Sequence, residues 1–189
     1  MIASLRLSLS MYSAPRVAAA LDETRLTAQV WKGGRAIGGT LERSLRGQPD
    51  GPAQWWLLAD YRGEAHASTE TGWDLEQINP GDRVSPEFAK ALFVVAMNIA
   101  SAAEEEFNDW YDLEHIPLLS QVPGVMAARR FRSCSGSPRY VAIYHLSDPD
   151  AYASAQWCQA DQTPWIGRMR RFQRDRAYYM FHPAPESAA

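Results

Sequence analysis

From residue 91 onward the chain reads as strand and helix signals in the order β-α-β-β-α-β, and few folds accommodate that order in about ninety residues. Phe93 to Ala100 (FVVAMNIA) is rich in β-formers and predicts a strand. Ser101, with Glu104 three residues on, has the spacing of a helix-opening capping box. From Ala103 to Ile116 a helical period places Phe107, Trp110, Tyr111, Glu114, His115 and Leu118 on one face. Asn108, Asp109 and Asp112 fall opposite, and Pro117 ends or kinks the helix. After the turn signal Val122-Pro123-Gly124, strands are expected at Val125 to Arg132 and Tyr140 to Leu146, separated by the loop Ser133 to Pro138. Ser147-Asp148-Pro149 opens a second helix that runs to about Ala160, and a segment from Pro164 to Phe172 continues it. Arg176 to His182 is the last strand.

This split βαβ order predicts an α+β, ferredoxin-like domain over residues 91–183, with a frayed tail at 184–189. Both helices of such a unit cover one sheet face, so the other face needs a second sheet. Residues 1–90 offer candidates. Strands are expected at Ser4 to Tyr12, Leu26 to Lys32 and Gln54 to Tyr61, and short helices at Pro15 to Thr24 and Ser85 to Lys90. A Gly-rich loop with one helical turn (residues 35–51) and a polar stretch from Arg62 to Gly81 fill the remainder. The element order suggests a degenerate copy of the second half, although an unrelated extension satisfies the same signals. Either the first half supplies the second sheet and closes a barrel within one chain, or two chains pair their C-terminal sheets. The first is preferred because Gln54 to Tyr61 is strongly apolar, and a homodimer remains open under both.

Composition excludes several classes. With 19 Lys+Arg against 22 Asp+Glu the formal charge is −3, which gives nucleic acid no electrostatic reason to be the main partner. Two cysteines, Cys134 and Cys158, are too few for a disulfide or metal framework, and no H-x-H, H-x-x-x-H or C-x-x-C spacing occurs. The Gly33-Gly34 and Gly38-Gly39 pairs form no phosphate-binding loop. No apolar run is long enough for a membrane helix, and the first residues lack a signal-peptide core, so a cytoplasmic protein is expected. Seven tryptophans and eight tyrosines are many for 189 residues; such side chains fill cores but also line small-molecule sites.

The stretch AEEEFNDWYDLEHIPLLSQVPGVMAARRF resembles the EthD-like branch of the dimeric α+β barrel superfamily. The resemblance rests on Phe107, Trp110, Tyr111, His115, Pro117 and Leu118, then Pro123-Gly124, then Arg129, Arg130 and Phe131. It covers about residues 91 to 183. It implies a dimeric α+β barrel fold and a menu of reactions that includes cofactor-free monooxygenases, polyketide cyclases, lactone isomerases, decarboxylases and haem-binding relatives.

Among titratable residues His115 is the foremost candidate. An imidazole on an apolar face is costly to bury unpaired, and its proton moves near neutral pH. The competing reading is a histidine that closes the helix before Pro117. As a catalyst it would be a general acid/base, because no activated Ser or Cys adjoins it. Tyr111 would donate a hydrogen bond to a carbonyl or enolate oxygen. Trp110 would stack on an aromatic substrate, with Phe107 and Tyr144 as further binding residues. Asn98 interrupts an apolar strand and would supply an amide near His115; a plain edge contact is the alternative. Glu114 would orient His115. His145 and His182 interrupt strands and either join the site or do not. The run Arg168 to Arg176 (RMRRFQRDR) is a solvated helix face or an attractor for a carboxylate-bearing substrate. The expected function is a cofactor-independent enzyme of lyase or isomerase type (dehydration, decarboxylation, cyclisation or double-bond shift) on an aromatic or polyketide-like substrate. The alternatives are a non-catalytic small-molecule binder and a haem-binding or cofactor-free monooxygenase relative.

Overall fold

The computed structural model describes residues 5–12, 25–36, 54–63, 72–134 and 136–184. Eight strands form one closed antiparallel barrel: β1 (Leu5–Tyr12), β2 (Arg25–Ala36), β3 (Gln54–Arg62), β4 (Gly72–Asn79), β5 (Ala91–Ile99), β6 (Val125–Ser133), β7 (Tyr140–Leu146) and β8 (Gln173–Pro183). Around the barrel the order is β1-β3-β2-β8-β5-β7-β6-β4, with β4 returning to β1. Each group of four strands therefore has its fourth, first, third and second members side by side. The seams between the groups are β2–β8 and β4–β6. The second sheet that the C-terminal unit needs is thus supplied within the same chain.

β5 and β7 are buried on both faces, and for that reason their sequences are nearly continuous apolar runs. In β5, Leu92, Val94 and Ala96 join the barrel core with Leu7, Leu9, Trp56 and Leu58. Phe93, Val95 and Met97 join a second core shared with Phe107, Trp110, Tyr111 and Trp157. β7 divides in the same way: Val141 and Ile143 face inward, and Tyr140, Ala142 and Tyr144 face the helices. In β1 the pattern LRLSL simply alternates, with Leu5, Leu7 and Leu9 buried and Arg6 and Ser8 half-buried. The β2–β8 seam requires a glycine. A Cβ on Gly33 would lie 2.0 Å from the Met180 carbonyl oxygen and 2.7 Å from the Phe181 Cα.

Helical chain covers the outer face of the C-terminal sheet. A 3₁₀ turn at Ser101–Ala103 leads into α1 (Glu104–Trp110), a π turn at Tyr111–His115 and α2 (Ile116–Ser120). A second 3₁₀ turn, Pro149–Ala153, precedes α3 (Ala155–Ala160) and α4 (Pro164–Met169). Among the described residues no helix is long and apolar enough to cross a membrane.

Several local expectations need correction. Ser101 makes no capping bond; it opens the 3₁₀ turn, while Glu104 accepts from the Tyr140 hydroxyl at 2.6 Å and pairs with Arg139. Pro117 does not end the helix. The ring cannot donate to the preceding turn, and the chain takes up the mismatch in the π turn, where the Ile116 N–H reaches the Tyr111 carbonyl. The extra residue slips the helical face by one position, so Leu119 is 1% exposed and Leu118, expected inside, is 37% exposed. Residues 85–90 form no helix, and β4 occupies part of the stretch expected to be irregular. The expected helix at Pro15 to Thr24, the Gly-rich loop after residue 36 and the tail beyond residue 184 lie outside the described residues.

Candidate active site

The outer face of the C-terminal sheet and the helices above it line a small, partly open cavity. Four of its walls come from the helix that carries the π turn: Trp110, Tyr111, His115 and Leu119. The sheet contributes Phe93, Val95 and Met97 from β5, Tyr144 from β7 and Tyr178 from β8. The second helical region adds Tyr152, Trp157 and Ile166. At the polar end stand Asp161, Arg170, Gln173 and Arg176.

The π turn sets this geometry. It keeps Trp110, Tyr111 and His115 together on the buried side, with the imidazole 4.4 Å from the Trp110 ring and 5.0 Å from the Tyr111 ring, centroid to centroid. Tyr144 closes the box from the sheet, its ring perpendicular to the imidazole at 6.5 Å. Trp157 stands edge-on to Tyr144 at 5.2 Å. Glu114 does not orient His115. Its carboxylate accepts from the Trp110 indole at 3.2 Å and from the Thr163 hydroxyl at 2.5 Å, which ties the first helix to the start of α4.

Burial sets the protonation states. The His115 pKa falls to about 3, first because the imidazole is desolvated and then because Arg170 and Arg130 repel a second positive charge. The ring is therefore neutral at physiological pH, with no proton of its own to give. Burial pushes the phenols of Tyr111 and Tyr144 upward, so both remain protonated hydrogen-bond donors. Tyr144 carries a further feature: its hydroxyl is buried without a hydrogen-bond partner. An unpaired buried hydroxyl typically costs about 1–3 kcal/mol.

Of the residues singled out from sequence, His115, Tyr111, Trp110 and Tyr144 meet at this cavity. Phe107 packs behind it, 5.0 Å from Tyr111 and 5.9 Å from Trp110. Asn98 lies elsewhere. Its amide bonds Ser137 and Asp175 at 2.9 Å and accepts from the Arg139 N–H at 2.8 Å, so it braces the loop between β6 and β7. A bulge between Ala96 and Asn98 turns it out of register with the strand before it. His145 points into the barrel beside Arg129, and His182 is half-buried at the end of β8. Sequence reading missed Trp157, Tyr152 and Tyr178 as cavity walls. The only available signal was the concentration of aromatics in the second helix and the last strand.

Among the described residues no group of three or more His, Cys, Asp or Glu side chains is placed to hold a metal ion.

No protein-family model matches the chain, and no curated protein matches it. Solved structures do resemble it in fold. A provisionally assigned monooxygenase from Fusobacterium nucleatum subsp. nucleatum superposes with a TM-score of 0.61 at 7% identity, covering 98% of this chain and 94% of its own. A major regulator of staphylococcal pathogenesis gives 0.53 at 7% identity, over 95% and 99% of the two chains. A provisionally assigned chlorite dismutase gives 0.51 at 11% identity, over 98% and 96%. At these identities the likeness is one of fold alone.

Proposed function

We propose that the protein is a cofactor-independent small-molecule enzyme in which His115 transfers a proton within the aromatic cavity, in a reaction of lyase or isomerase type. The observation that carries this reading is the unpaired Tyr144 hydroxyl, buried in a cavity whose one imidazole is held neutral. A substrate carbonyl placed at that hydroxyl would satisfy it. As a proton leaves the neighbouring carbon for the imidazole, charge moves onto the carbonyl oxygen, and a phenol that stays protonated stabilises it there. The imidazolium then returns the proton to a second carbon in a double-bond shift, or to a departing hydroxyl in a dehydration. Cyclisation begins with the same abstraction. Decarboxylation instead takes its final proton from solvent, because the resting imidazole has none to give. Trp110 and Trp157 offer ring faces to an aromatic or polyketide-like body.

The same cavity supports a second reading, a non-catalytic binding protein, in which a ligand satisfies Tyr144 and leaves unchanged. For the domain layout, the reading is two tandem ferredoxin-like halves, residues 1–90 and 91–183, supported by the matching strand order of the two groups of four. Because the barrel closes within one chain, a homodimer would form through another surface.

Hydrogen exchange on a carbon acid tests the reaction class without the natural substrate. The protein should speed wash-out of the acidic C–H protons of 2-tetralone in D₂O. His115→Ala should lower the accelerated rate by about 10²-fold, the usual worth of a general base. A folded His115→Ala protein that exchanges as fast as the parent overturns the proposal.

A further inference from the structure

The polar end of the cavity is not electrically balanced. Its charged side chains are Asp161, Arg170 and Arg176, two guanidinium groups against one carboxylate. Arg170 is committed to Asp161, bonding both its carboxylate and its carbonyl, at 2.9 and 3.0 Å. Arg176 is exposed and forms no ion pair among the described residues, although its charge acts on Asp161 from a distance. It donates to the Gln173 side-chain oxygen at 3.1 Å and stacks over the Tyr178 ring at 5.0 Å. That contact holds the guanidinium against one wall of the cavity, with its remaining donors facing solvent at the cavity mouth. The rest of the lining is aromatic and aliphatic and carries no other charge once His115 is neutral.

Resting on the proposed small-molecule site, we infer that its ligand is a planar aromatic monoanion, its carboxylate or equivalent acidic group held by Arg176 at the cavity mouth and its apolar body lying between the rings toward Tyr144 and His115. A guanidinium fork suits a planar oxyanion, and an aromatic acid of this shape presents one charged edge and one apolar edge, as the cavity does. The charge also feeds back on the chemistry. Arg170 is among the groups that suppress the imidazole's basicity, so an anion bound at the mouth offsets that repulsion and makes His115 a better proton acceptor when substrate is present.

Calorimetric titration of the full chain with 2-naphthoate and with 2-naphthamide, isosteres differing in charge, tests the inference. The acid should bind about tenfold more tightly than the amide at low ionic strength, and added salt should shrink the ratio. Arg176→Gln should bring the ratio close to one while leaving the amide's affinity in place. Arg174→Gln serves as control: it removes the same charge from a neighbouring residue whose guanidinium is bonded to the Arg171 and Gln173 carbonyls, and it should leave the ratio unchanged. Equal affinities for acid and amide, no saturable binding of the acid, or equal effects of the two substitutions each overturn the inference. These readouts are separate from turnover. An acid that binds through Arg176 in a protein that exchanges no carbon-bound hydrogen leaves the ligand class standing while the proposed proton transfer falls.

Discussion

Arg129 and Arg130 are neighbours in β6, equally buried, and they point to opposite sides of the same sheet. Inside the barrel, every guanidinium nitrogen of Arg129 has an acceptor. Nε donates to Gln77 at 2.8 Å, Nη1 to the Ser85 hydroxyl at 2.7 Å, and Nη2 to Asp60. Asp60 in turn accepts from the Thr27 hydroxyl and the Ser85 N–H, both at 2.7 Å. On the helix side, Arg130 donates one hydrogen bond, to Asn108 at 2.6 Å; its Nε and Nη1 make none, and Nη1 stands 3.6 Å from the half-exposed Asp112 carboxylate. Its guanidinium also lies over three ring faces, those of Tyr111, Tyr140 and Phe107 at 4.3, 4.8 and 5.0 Å. One side is a polar knot that joins the two halves of the chain around a fully bonded guanidinium, although the Gln77 amide nitrogen and the His145 Nδ1 beside it have no partner among the described residues. The other is an aromatic chamber that borders the cavity, where the unpaired Tyr144 hydroxyl is within reach of a ligand.

The largest expected effect lies on the barrel side. Asp60→Ala leaves a buried guanidinium without its counter-charge and should cost about 3–5 kcal/mol in urea unfolding. The double change Asp60→Leu with Arg129→Met should cost clearly less, since no orphaned charge remains. If the single and double variants lose equal stability, the knot is not held by charge pairing.

Both sides bury a histidine, which makes stability depend on pH. The unfolded imidazole titrates near 6.5; in the folded protein His115 titrates near 3, and His145 is also pulled down, first by burial and then by Arg129. As pH falls below 6.5 the unfolded chain takes up these protons first. The stability gained by keeping the rings neutral is therefore complete above pH 6.5 and is lost as pH falls toward 3. For His115 alone the loss by pH 4.5 is on the order of 2–3 kcal/mol at 1.36 kcal/mol per unit. His115→Phe should flatten that part of the curve in pH-dependent melts, and an unchanged slope would remove His115 from the buried set.

Smaller effects are expected on the cavity side. Arg130→Met removes a charge with few hydrogen bonds and should change stability by no more than about 1–2 kcal/mol, much less than Asp60→Ala. Tyr144→Phe removes the unpaired hydroxyl and should leave the ligand-free protein as stable as before, or up to about 1 kcal/mol more stable, while weakening binding of a carbonyl ligand. A substantial loss of ligand-free stability would mean that the hydroxyl is already satisfied.

The sequence revealed this contrast only in part. β5 and β7 were legible because strands buried on both faces demand continuous apolar runs, and Tyr140 to Leu146 is one. β4 was not. GWDLEQIN holds its place through its partners β1 and β6 and through a 2.5 Å bond from the Tyr61 hydroxyl to Asp74, none of which its own residues announce. His115, Tyr111 and Trp110 were legible as a cluster because they share helical spacing, which the π turn preserved for them and shifted for Leu118. The Asp60–Arg129 pair spans 69 residues and the two halves, so no local pattern could point to it. The same holds for Arg176, visible only as one arginine in a run until the fold set it at the mouth of the cavity.

The central claim is that ligand enters beneath the helices and not the barrel. The indole N–H signals in a ¹⁵N-tryptophan NMR titration with 2-naphthoate test it most directly. Trp110 and Trp157 line the cavity, whereas Trp31 and Trp56 lie in the barrel core. The first pair should shift with saturation while the second stays in place. Saturable shifts at Trp31 and Trp56, with Trp110 and Trp157 unmoved, would contradict it.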